Sequence, residues 1–367
     1  MVRAHPTVPF NFSLRGRILS RQKITIIGAG PVGLLCAYFA HKAGFSVRVV
    51  APPVAENNRC SGLNAGGMLA PAYEFMGLGN HEIADFALSS RYKWRELANE
   101  IGIAINPTSY AVAASSLQTL RLNQIWEEGN LRGFDWSRLC PKGIDDDNNW
   151  LELGCDALIN PVSVHSQIYE NLCRSGVEFV EASIQELKST ALTTDEGELS
   201  YENLIIAAGV GSKVLQNSLS ELRTLVPVRG QLLELDVISP LHGTLRMGSS
   251  YILCRGDKTI VGATMQRGDE DWNPRSADAS ELLNPPHELP FGLDQVQITK
   301  AFCGVRPGTI DDLPLVGKSS INNVFLACGA YRNGWLLAPK IAEDLINLIK
   351  TDENRLPKSF FPNRFGF

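Results

Sequence analysis

The sequence lacks several features that would place it in a specialised class of protein. Its eight cysteines form no C-x-x-C pair, which argues against a zinc knuckle or a dithiol redox motif. No uninterrupted apolar stretch is long enough for a membrane-spanning helix. Basic charge is not in excess, because 34 lysines and arginines are outnumbered by 39 acids, for a net charge of −5. This balance argues against a nucleic-acid backbone as the main partner.

The remaining composition is that of a globular protein. Hydrophobic residues make up 44% of the 367 positions and charged residues 20%, so general disorder is excluded. The length suits two domains. The cysteines are scattered along the chain, which is typical of reduced thiols, and we therefore expect a cytoplasmic protein.

The first residues of the chain are basic. Residues 1–23 contain four arginines, one lysine and no acid, and the uncharged stretch Ile24–Ala40 follows. Together they imitate a secretory signal, but several glycines and a proline interrupt the apolar stretch. We interpret residues 1–22 as a basic tail. A transit peptide, a contact with an anionic membrane and a loose terminus all remain open.

A glycine-rich motif after the tail predicts a dinucleotide site. Lys23–Ile27 has the composition of a strand, Gly28–Gly33 reads G-x-G-x-x-G, Leu34–Ala43 has helical periodicity, and Ser46–Val50 is a second strand. This order and spacing form one βαβ unit. The first glycine permits the tight turn, the second lets a pyrophosphate approach the backbone, and the third allows the helix to pack closely on the strand.

The second strand ends without the acid that normally binds a ribose. Ala51 occupies that position and is followed by Pro52, while Glu56 and Arg59 come a few residues later. We therefore expect the ribose to be held differently from the usual pattern.

Later segments add elements of both α/β and antiparallel type. His81–Ile101 has the periodicity of an amphipathic helix, and Val162–Ser175 predicts another. Leu225–Leu235 and Thr259–Thr264 alternate between apolar and polar residues, which indicates an antiparallel sheet. A buried strand near residue 326 leads into a final helix that runs to about Lys350.

One arginine lies within an apolar strand. Arg306 is flanked by Ala301–Val305, and a buried guanidinium requires an anion. That anion can be Asp311 or Asp312 of the same chain or the carboxylate of a ligand, and the residues alone leave the two alternatives open. A guanidinium matches the two oxygens of a carboxylate.

Taken together, these segments resemble the D-amino acid oxidase superfamily of flavoenzymes, and most of all the bacterial glycine oxidases, including those of thiamine biosynthesis. The resemblance covers about Lys23 to Lys350. Besides the glycine-rich motif, it rests on A-G-G-M-L-A-P at 65–71, P-V-R-G-Q at 227–231, V-G-A-T-M at 261–265, V-R-P-G-T at 305–309 and Y-R-N-G at 331–334.

The resemblance implies a Rossmann-like α/β domain that binds FAD, interleaved with an antiparallel-sheet α+β substrate domain. The FAD-binding domain would comprise residues 23–75, 155–222 and 301–355, and the substrate domain residues 76–154 and 223–300. The residues expected to bind FAD are Gly28, Gly30, Pro31, Val32, Gly33, Ala51, Pro52, Ser61, Gly67, Met68, Leu69, Ile184, Gly209, Arg332, Asn333, Gly334, Trp335 and Leu336.

The resemblance also implies a substrate site. Arg306 would pair with an α-carboxylate, Tyr251 and Arg332 would assist, and Met265 would lie near the α-carbon. The reaction would be oxidative deamination of glycine, sarcosine or a small D-amino acid by hydride transfer to flavin N5. It would give an imine or 2-oxo acid, ammonia or an amine, and hydrogen peroxide from dioxygen. No metal and no general base are expected, and the histidines at 81, 165, 242 and 287 are interpreted as surface or packing residues.

Departures from the family pattern leave alternatives. Cys303 lies close to where sarcosine oxidases attach FAD through a thioether, so a covalent link competes with the expected non-covalent flavin. Ala330 replaces a histidine that is common in glycine oxidases. A dehydrogenase that reduces a quinone, a tRNA wobble-uridine-modifying flavoprotein and a non-catalytic subunit of a larger oxidase remain competing functions. Assembly into a homo-oligomer is also open.

Overall fold

The computed structural model describes residues 22–53, 59–78, 81–113, 127, 136–137, 149–238, 243–247, 250–284 and 296–367. The predicted basic tail, residues 1–22, therefore lies outside the described residues except for its last position. In the parts of the chain that the structure describes, no helix combines the length and the apolar character needed to cross a bilayer.

The described residues form six α-helices and twenty strands. The helices are α1 (Pro31–Lys42), α2 (Pro71–Leu78), α3 (His81–Ile101), α4 (Pro161–Arg174), α5 (Ser276–Leu283) and α6 (Gly334–Thr351). The strands are β1 (Lys23–Ile27), β2 (Ser46–Ala51), β3 (Met68–Leu69), β4 (Ser109–Ala113), β5 (Trp136–Ser137), β6 (Asn149–Leu153), β7 (Ala157–Leu158), β8 (Glu178–Glu181), β9 (Ile184–Leu187), β10 (Ala191–Thr194), β11 (Gly197–Ser200), β12 (Asn203–Ile206), β13 (Leu225–Leu235), β14 (Thr244–Met247), β15 (Ser250–Arg255), β16 (Lys258–Gly262), β17 (Gln266–Arg267), β18 (Ile298–Thr309), β19 (Leu315–Lys318) and β20 (Val324–Cys328).

The first sheet is the Rossmann-like layer. Its order is β19-β20-β12-β1-β2-β8, with every pair parallel except β19 with β20. The central strand β1 contains three isoleucines, and Ile24 and Ile26 are fully buried against α1, α4 and α6. Burial on both faces explains why the central strands β12 and β20 are apolar over most of their length rather than alternating. The strand order reverses beside β1, where open α/β sheets bind their ligands.

The second sheet is the mixed layer that faces the first. Its path is β17-β13-β16-β15-β14-β4-β6-β5, and β18 pairs with the other edge of β13. The long strand β13 runs antiparallel to β18 from the pair Leu225–Thr309 to the pair Leu235–Ile298. The expected antiparallel sheet is present, with one parallel pair, β14 with β4. Residues from both halves of the chain therefore build one sheet.

Two of the predicted domain boundaries do not match this layering. The boundary at 300/301 falls inside β18, whose whole length pairs with β13 and so belongs to the mixed sheet. Helix α3, assigned to the substrate domain, packs on α6 in the core of the Rossmann-like layer. There the indole N–H of Trp94 donates to the carbonyl oxygen of Trp335 at 2.8 Å. Both differences arise from tertiary packing, because the periodicity of a sequence predicts its helices and strands but not which layer they pack against.

Most predicted elements are confirmed within a few residues. Helix α3 spans the predicted range. Helix α1 begins at Pro31 rather than Leu34, because proline suits the first helical position. Helix α4 begins at Pro161, where the side-chain oxygen of Asn160 accepts hydrogen bonds from the next two free backbone N–H groups. The last helix begins at Gly334, after a short 3-10 turn.

Candidate active site

One cavity of about 1150 Å³ extends from the glycine-rich turn of the Rossmann-like layer to the face of the mixed sheet. The turn is shaped by its glycines. Gly28 has a φ of 104°, and a Cβ there would lie 2.6 Å from the carbonyl oxygen of Ala207. A Cβ on Gly33 would lie 1.9 Å from the oxygen of Gly28, whereas a Cβ on Gly30 would meet nothing closer than 3.7 Å. The turn is therefore tight on its inner side and open towards the cavity.

His165 holds this turn in place. Its Nε2–H donates to the carbonyl oxygen of Ala29 at 2.8 Å. Burial lowers the pKa of this imidazole, so it stays neutral and remains a donor at physiological pH. His165 was interpreted only as a surface or packing residue. It is buried and lines the cavity, so the surface interpretation is wrong.

The predicted cofactor residues fall into two groups. Gly33, Leu69 and Leu336 do not line the cavity: Gly33 supports the turn from behind, and the two leucines are almost fully buried. The others all line it: Gly28, Gly30, Pro31, Val32, Ala51, Pro52, Ser61, Gly67, Met68, Ile184, Gly209, Arg332, Asn333, Gly334 and Trp335. A long cavity with small residues at the turn and along one wall fits an extended dinucleotide.

The ribose acid missing after β2 has no counterpart among the described lining residues. Their two carboxylates are both in ion pairs, Glu74 with Arg332 and Glu270 with Lys213. Glu56, considered from the sequence, lies outside the described residues. The exposed Arg59 is the charged lining residue that follows β2.

The start of α6 forms the opposite wall. The indole N–H of Trp335 donates to the carbonyl oxygen of Gly62 at 2.9 Å, which ties the helix start to the small-residue loop. Asn333 precedes the helix without a side-chain cap, so the first N–H groups have no side-chain acceptor. Such a helix start favours negative charge placed near it.

Arg306 points into the cavity, and none of the carboxylates in the described part of the chain forms an ion pair with it. Its Nη1 donates to the carbonyl oxygen of Thr264 at 3.2 Å and to that of Arg229 at 3.4 Å. The alternative of an internal ion pair is wrong, because Asp311 is paired with Arg364 and Asp312 with Arg267. Loss of hydration lowers the pKa of Arg306, because burial disfavours the charged guanidinium, and an anion in the cavity would offset this cost.

Glycines make room for the two groups expected to bind substrate. A Cβ on Gly230 would lie 2.0 Å from Nη1 of Arg306, so the guanidinium lies directly over this glycine. A Cβ on Gly262 would lie 2.6 Å from the Tyr251 hydroxyl, and one on Gly66 would lie 3.1 Å from it. Burial raises the pKa of Tyr251, so its phenol keeps the proton that it can donate.

Met265 and Arg332, also predicted to bind substrate, both line the cavity, but Met265 is exposed and Arg332 is held in an ion pair. Met265 lines the cavity but is 54% exposed, and its sulfur contacts the Tyr331 hydroxyl. Arg332 also lines the cavity, but Glu74 accepts three hydrogen bonds from it: Nε donates to Oε1 at 2.9 Å and to Oε2 at 3.2 Å, and Nη2 donates to Oε2 at 2.8 Å. Its charge is therefore balanced by the protein. No sequence pattern indicates this pair, whose members are 258 positions apart.

Cys303 is not a lining residue. Its sulfur lies 3.7 Å from the carbonyl oxygen of Asp271, and the thiol is buried beside Arg229 and Asp278. The next residue, Gly304, does line the cavity, and a Cβ there would lie 3.4 Å from the Cα of Ser61. A thioether from Cys303 to a ligand in the cavity would require β18 to reverse its faces, so the geometry favours a non-covalent flavin.

Comparisons with known proteins identify the family of this chain. Residues 23–348 match the family described as FAD dependent oxidoreductase, abbreviated DAO. Glycine oxidase of Bacillus licheniformis is 27% identical over 351 residues, which cover 90% of this chain and 93% of that protein. The crystal structure of glycine oxidase from Geobacillus kaustophilus superposes with a TM-score of 0.84 at 22% identity, over 94% of this chain and 99% of the other.

The same fold also carries other named activities. L-proline dehydrogenase from P. horikoshii has a TM-score of 0.81 at 16% identity, over 94% of this chain and 98% of that one. The likeness to both solved structures shows the fold, and the family match extends over most of the chain. The protein therefore belongs to the DAO family of FAD-dependent oxidoreductases.

Proposed function

We propose that the protein oxidises the amine of glycine, sarcosine or another small amino acid, with dioxygen as the electron acceptor. The observation that carries the proposal is the Arg306 guanidinium, which faces the cavity and forms no ion pair with a carboxylate of the residues that the structure describes. The identity to a glycine oxidase over 90% of the chain supports the same substrate class.

The chain's own residues would bind and orient the substrate. The guanidinium fork of Arg306 matches both oxygens of an α-carboxylate, and the protonated Tyr251 hydroxyl adds a third donor. Arg332 contributes less charge, because Glu74 already holds it. Met265 and Tyr331 lie where the cavity is exposed and would limit the size of the substrate side chain.

The cofactor would lie along the remaining cavity. The backbone at Gly28–Gly33 would receive the pyrophosphate, Ile184 would lie near the adenine, and the start of α6 at Asn333–Trp335 would face the pyrimidine edge of the ring. When bound, FAD supplies the redox chemistry by accepting the hydride from the substrate's α-carbon and passing two electrons to the acceptor.

The overall reaction balances without a catalytic base. The amine loses a hydride from carbon and a proton from nitrogen, and water hydrolyses the resulting imine to a 2-oxo acid and ammonia. Dioxygen takes up two electrons and two protons to give hydrogen peroxide. Among the described cavity residues the one imidazole, His165, is committed to Ala29, so the protein contributes orientation and charge.

An anaerobic titration tests the proposal. The FAD-loaded protein is mixed with glycine, sarcosine or D-alanine, and loss of the yellow flavin absorbance is followed. Reduction by at least one of them, with peroxide formed when air is admitted, is the expected result. If air reoxidises the reduced flavin only slowly and a quinone reoxidises it quickly, the electron acceptor is a quinone rather than dioxygen. Absence of reduction by all three, and by D-aspartate, would refute the substrate class.

A further inference from the structure

A second arginine lies beside the proposed carboxylate site. Arg246 is on β14, directly opposite Tyr251 of β15 in their antiparallel pair, and Tyr251 in turn lies opposite Gly262 of β16. Directly opposed residues share one face of a sheet, with Cβ atoms about 5 Å apart. Arg246, Tyr251 and the face of Gly262 therefore form one row, and both side chains line the cavity.

The guanidinium of Arg246 rests on aromatic rings. Its Cζ lies 3.9 Å from the ring centre of Tyr73 and 5.6 Å from that of Tyr251. Contact with a ring face stabilises a cation only modestly. Its Nε is buried and has no hydrogen-bond partner, and the guanidinium forms no ion pair with the carboxylates of the described residues. The half-buried guanidinium of Arg246 is therefore held by aromatic rings, and at least its Nε–H remains without an acceptor.

Asp156 is a buried carboxyl group that interacts electrostatically with Arg246, and also with Arg91, without forming an ion pair with either. Asp156 is fully buried, and its Oδ1 accepts a hydrogen bond from the backbone N–H of Ala72 at 2.8 Å. Burial raises the pKa of Asp156 to about 7, so the group is only partly ionised at neutral pH. It is also outside ion-pair distance of Arg246.

The arginines that line the cavity around Tyr251 and Tyr73 leave two cations in excess. Three line it there, Arg306, Arg332 and Arg246, whereas Arg255, also near Tyr251, lies outside the lining and donates to the carbonyl oxygen of Ala65. Glu74 balances Arg332 and accepts three hydrogen bonds from it. A substrate with one carboxylate would balance Arg306 and leave Arg246 without an anion. A cation in a partly desolvated site is costly unless a ligand or the protein neutralises it.

We propose that Arg246 is a second anion subsite and that the preferred substrate is an amine carrying two carboxylates, one bound by Arg306 and the other by Arg246. This inference rests on the proposed function for the reaction and adds the substrate class. The second carboxylate can sit on the α-carbon's side chain, as in D-aspartate and D-glutamate, or on the nitrogen substituent, as in iminodiacetate.

The test compares the FAD-loaded wild-type protein with Arg246→Gln, with Arg246→Lys, and with Arg267→Gln as a control. Arg267 lies outside the cavity lining and its replacement makes the same change in net charge. Flavin reduction is measured with sarcosine, D-aspartate, D-glutamate and iminodiacetate. Binding is measured from the flavin spectrum with acetate, malonate, succinate and glutarate, which cannot be oxidised by this route.

We expect Arg246→Gln to lower kcat/KM for the best dicarboxylic amine by about 10- to 100-fold, the range for hydrogen bonds to a charged group, and to change that for sarcosine by less than about threefold. Binding of the best dicarboxylate should weaken by a similar factor, with acetate nearly unaffected. For both quantities, Arg246→Lys should give values between those of the wild type and Arg246→Gln, and Arg267→Gln should give the wild-type values. Preference for D-aspartate or D-glutamate would place the second carboxylate on the side chain, and preference for iminodiacetate would place it on the nitrogen substituent.

Two results would overturn the inference: dicarboxylates that bind no tighter than acetate, or an Arg246→Gln variant that loses both classes equally. Both leave the proposed function intact if sarcosine still reduces the flavin. Conversely, Arg246-dependent binding of a dicarboxylate in a protein that no amine reduces would support the subsite and refute the proposed reaction.

Discussion

Substitution of Gly230 by alanine should displace the Arg306 guanidinium without removing it. The added Cβ would lie 2.0, 2.2 and 2.4 Å from Nη1, Nη2 and Cζ of Arg306. Ordinary contact begins at about 3.4 Å, so the guanidinium must move by roughly 1.4 Å. The atoms that clash are the far end of a flexible side chain, and the backbone of β13 can therefore stay where it is.

The expected effect is large on catalysis and small on stability. A displacement of about 1 Å in a positioning group can cost about 10²-fold in rate, which corresponds to roughly 2.7 kcal/mol. We expect kcat/KM for the best substrate to fall by that factor in Gly230→Ala, with the melting temperature and the flavin spectrum nearly unchanged. Anaerobic stopped-flow reduction and thermal unfolding of the FAD-loaded protein measure the two quantities.

A double-mutant cycle isolates the cause. If Gly230→Ala acts through Arg306, the same change made in an Arg306→Ala background should have almost no further effect on kcat/KM. Arg306→Ala alone should raise KM steeply and leave FAD bound. Equal losses from Gly230→Ala in both backgrounds, or a wild-type kcat/KM in the single variant, would refute the role given to this guanidinium.

Three further outcomes follow from neighbouring groups. Cys303→Ser should keep its flavin, and denaturation of the wild type should release all FAD into the filtrate; retention of flavin on denatured protein would contradict the non-covalent assignment. Burial raises the pKa of Asp156 to about 7 from an ordinary value of 3.8, so the folded protein binds a proton that the unfolded chain has lost. Stability should therefore decline as pH rises from about 4 to 7, and Asp156→Asn should flatten that decline in urea unfolding curves; an unchanged slope would contradict this. Glu74→Gln should lower the melting temperature and tighten acetate binding, because Arg332 loses its anion; unchanged acetate affinity would show that Arg332 does not face the ligand.

The Rossmann-like half of the fold could be predicted because its signals are local. The glycines of residues 28–33, the apolar strand before them and the helix after them occur within one short segment, and the structure confirms the strand–turn–helix. The periodicity of α3 likewise determines its extent. What periodicity could not show is where α3 packs, since its contact with α6 joins residues 241 positions apart.

The site was predicted less completely, and for the same reason. Arg306 could be identified because an arginine within an apolar strand is conspicuous. Glu74 and Arg246 have no such local signal: one lies in a short helix, the other in the ordinary alternation of β14. Their roles follow from partners fixed only by the fold, Arg332 for Glu74 and the cross-strand Tyr251 for Arg246.

The interleaving of the two sheets has a consequence for how the protein acquires its cofactor during biosynthesis. The glycine-rich turn is translated early, but the cavity wall opposite it is the start of α6, and β20 completes the sheet beside β12. Strand β13 likewise lacks its partner β18 at first, because β18 is translated more than sixty residues later. Contacts between such distant segments form slowly. A ribosome-bound chain that carries the complete glycine-rich turn therefore still lacks part of the cavity wall, and we expect FAD to bind only after the last helix has emerged.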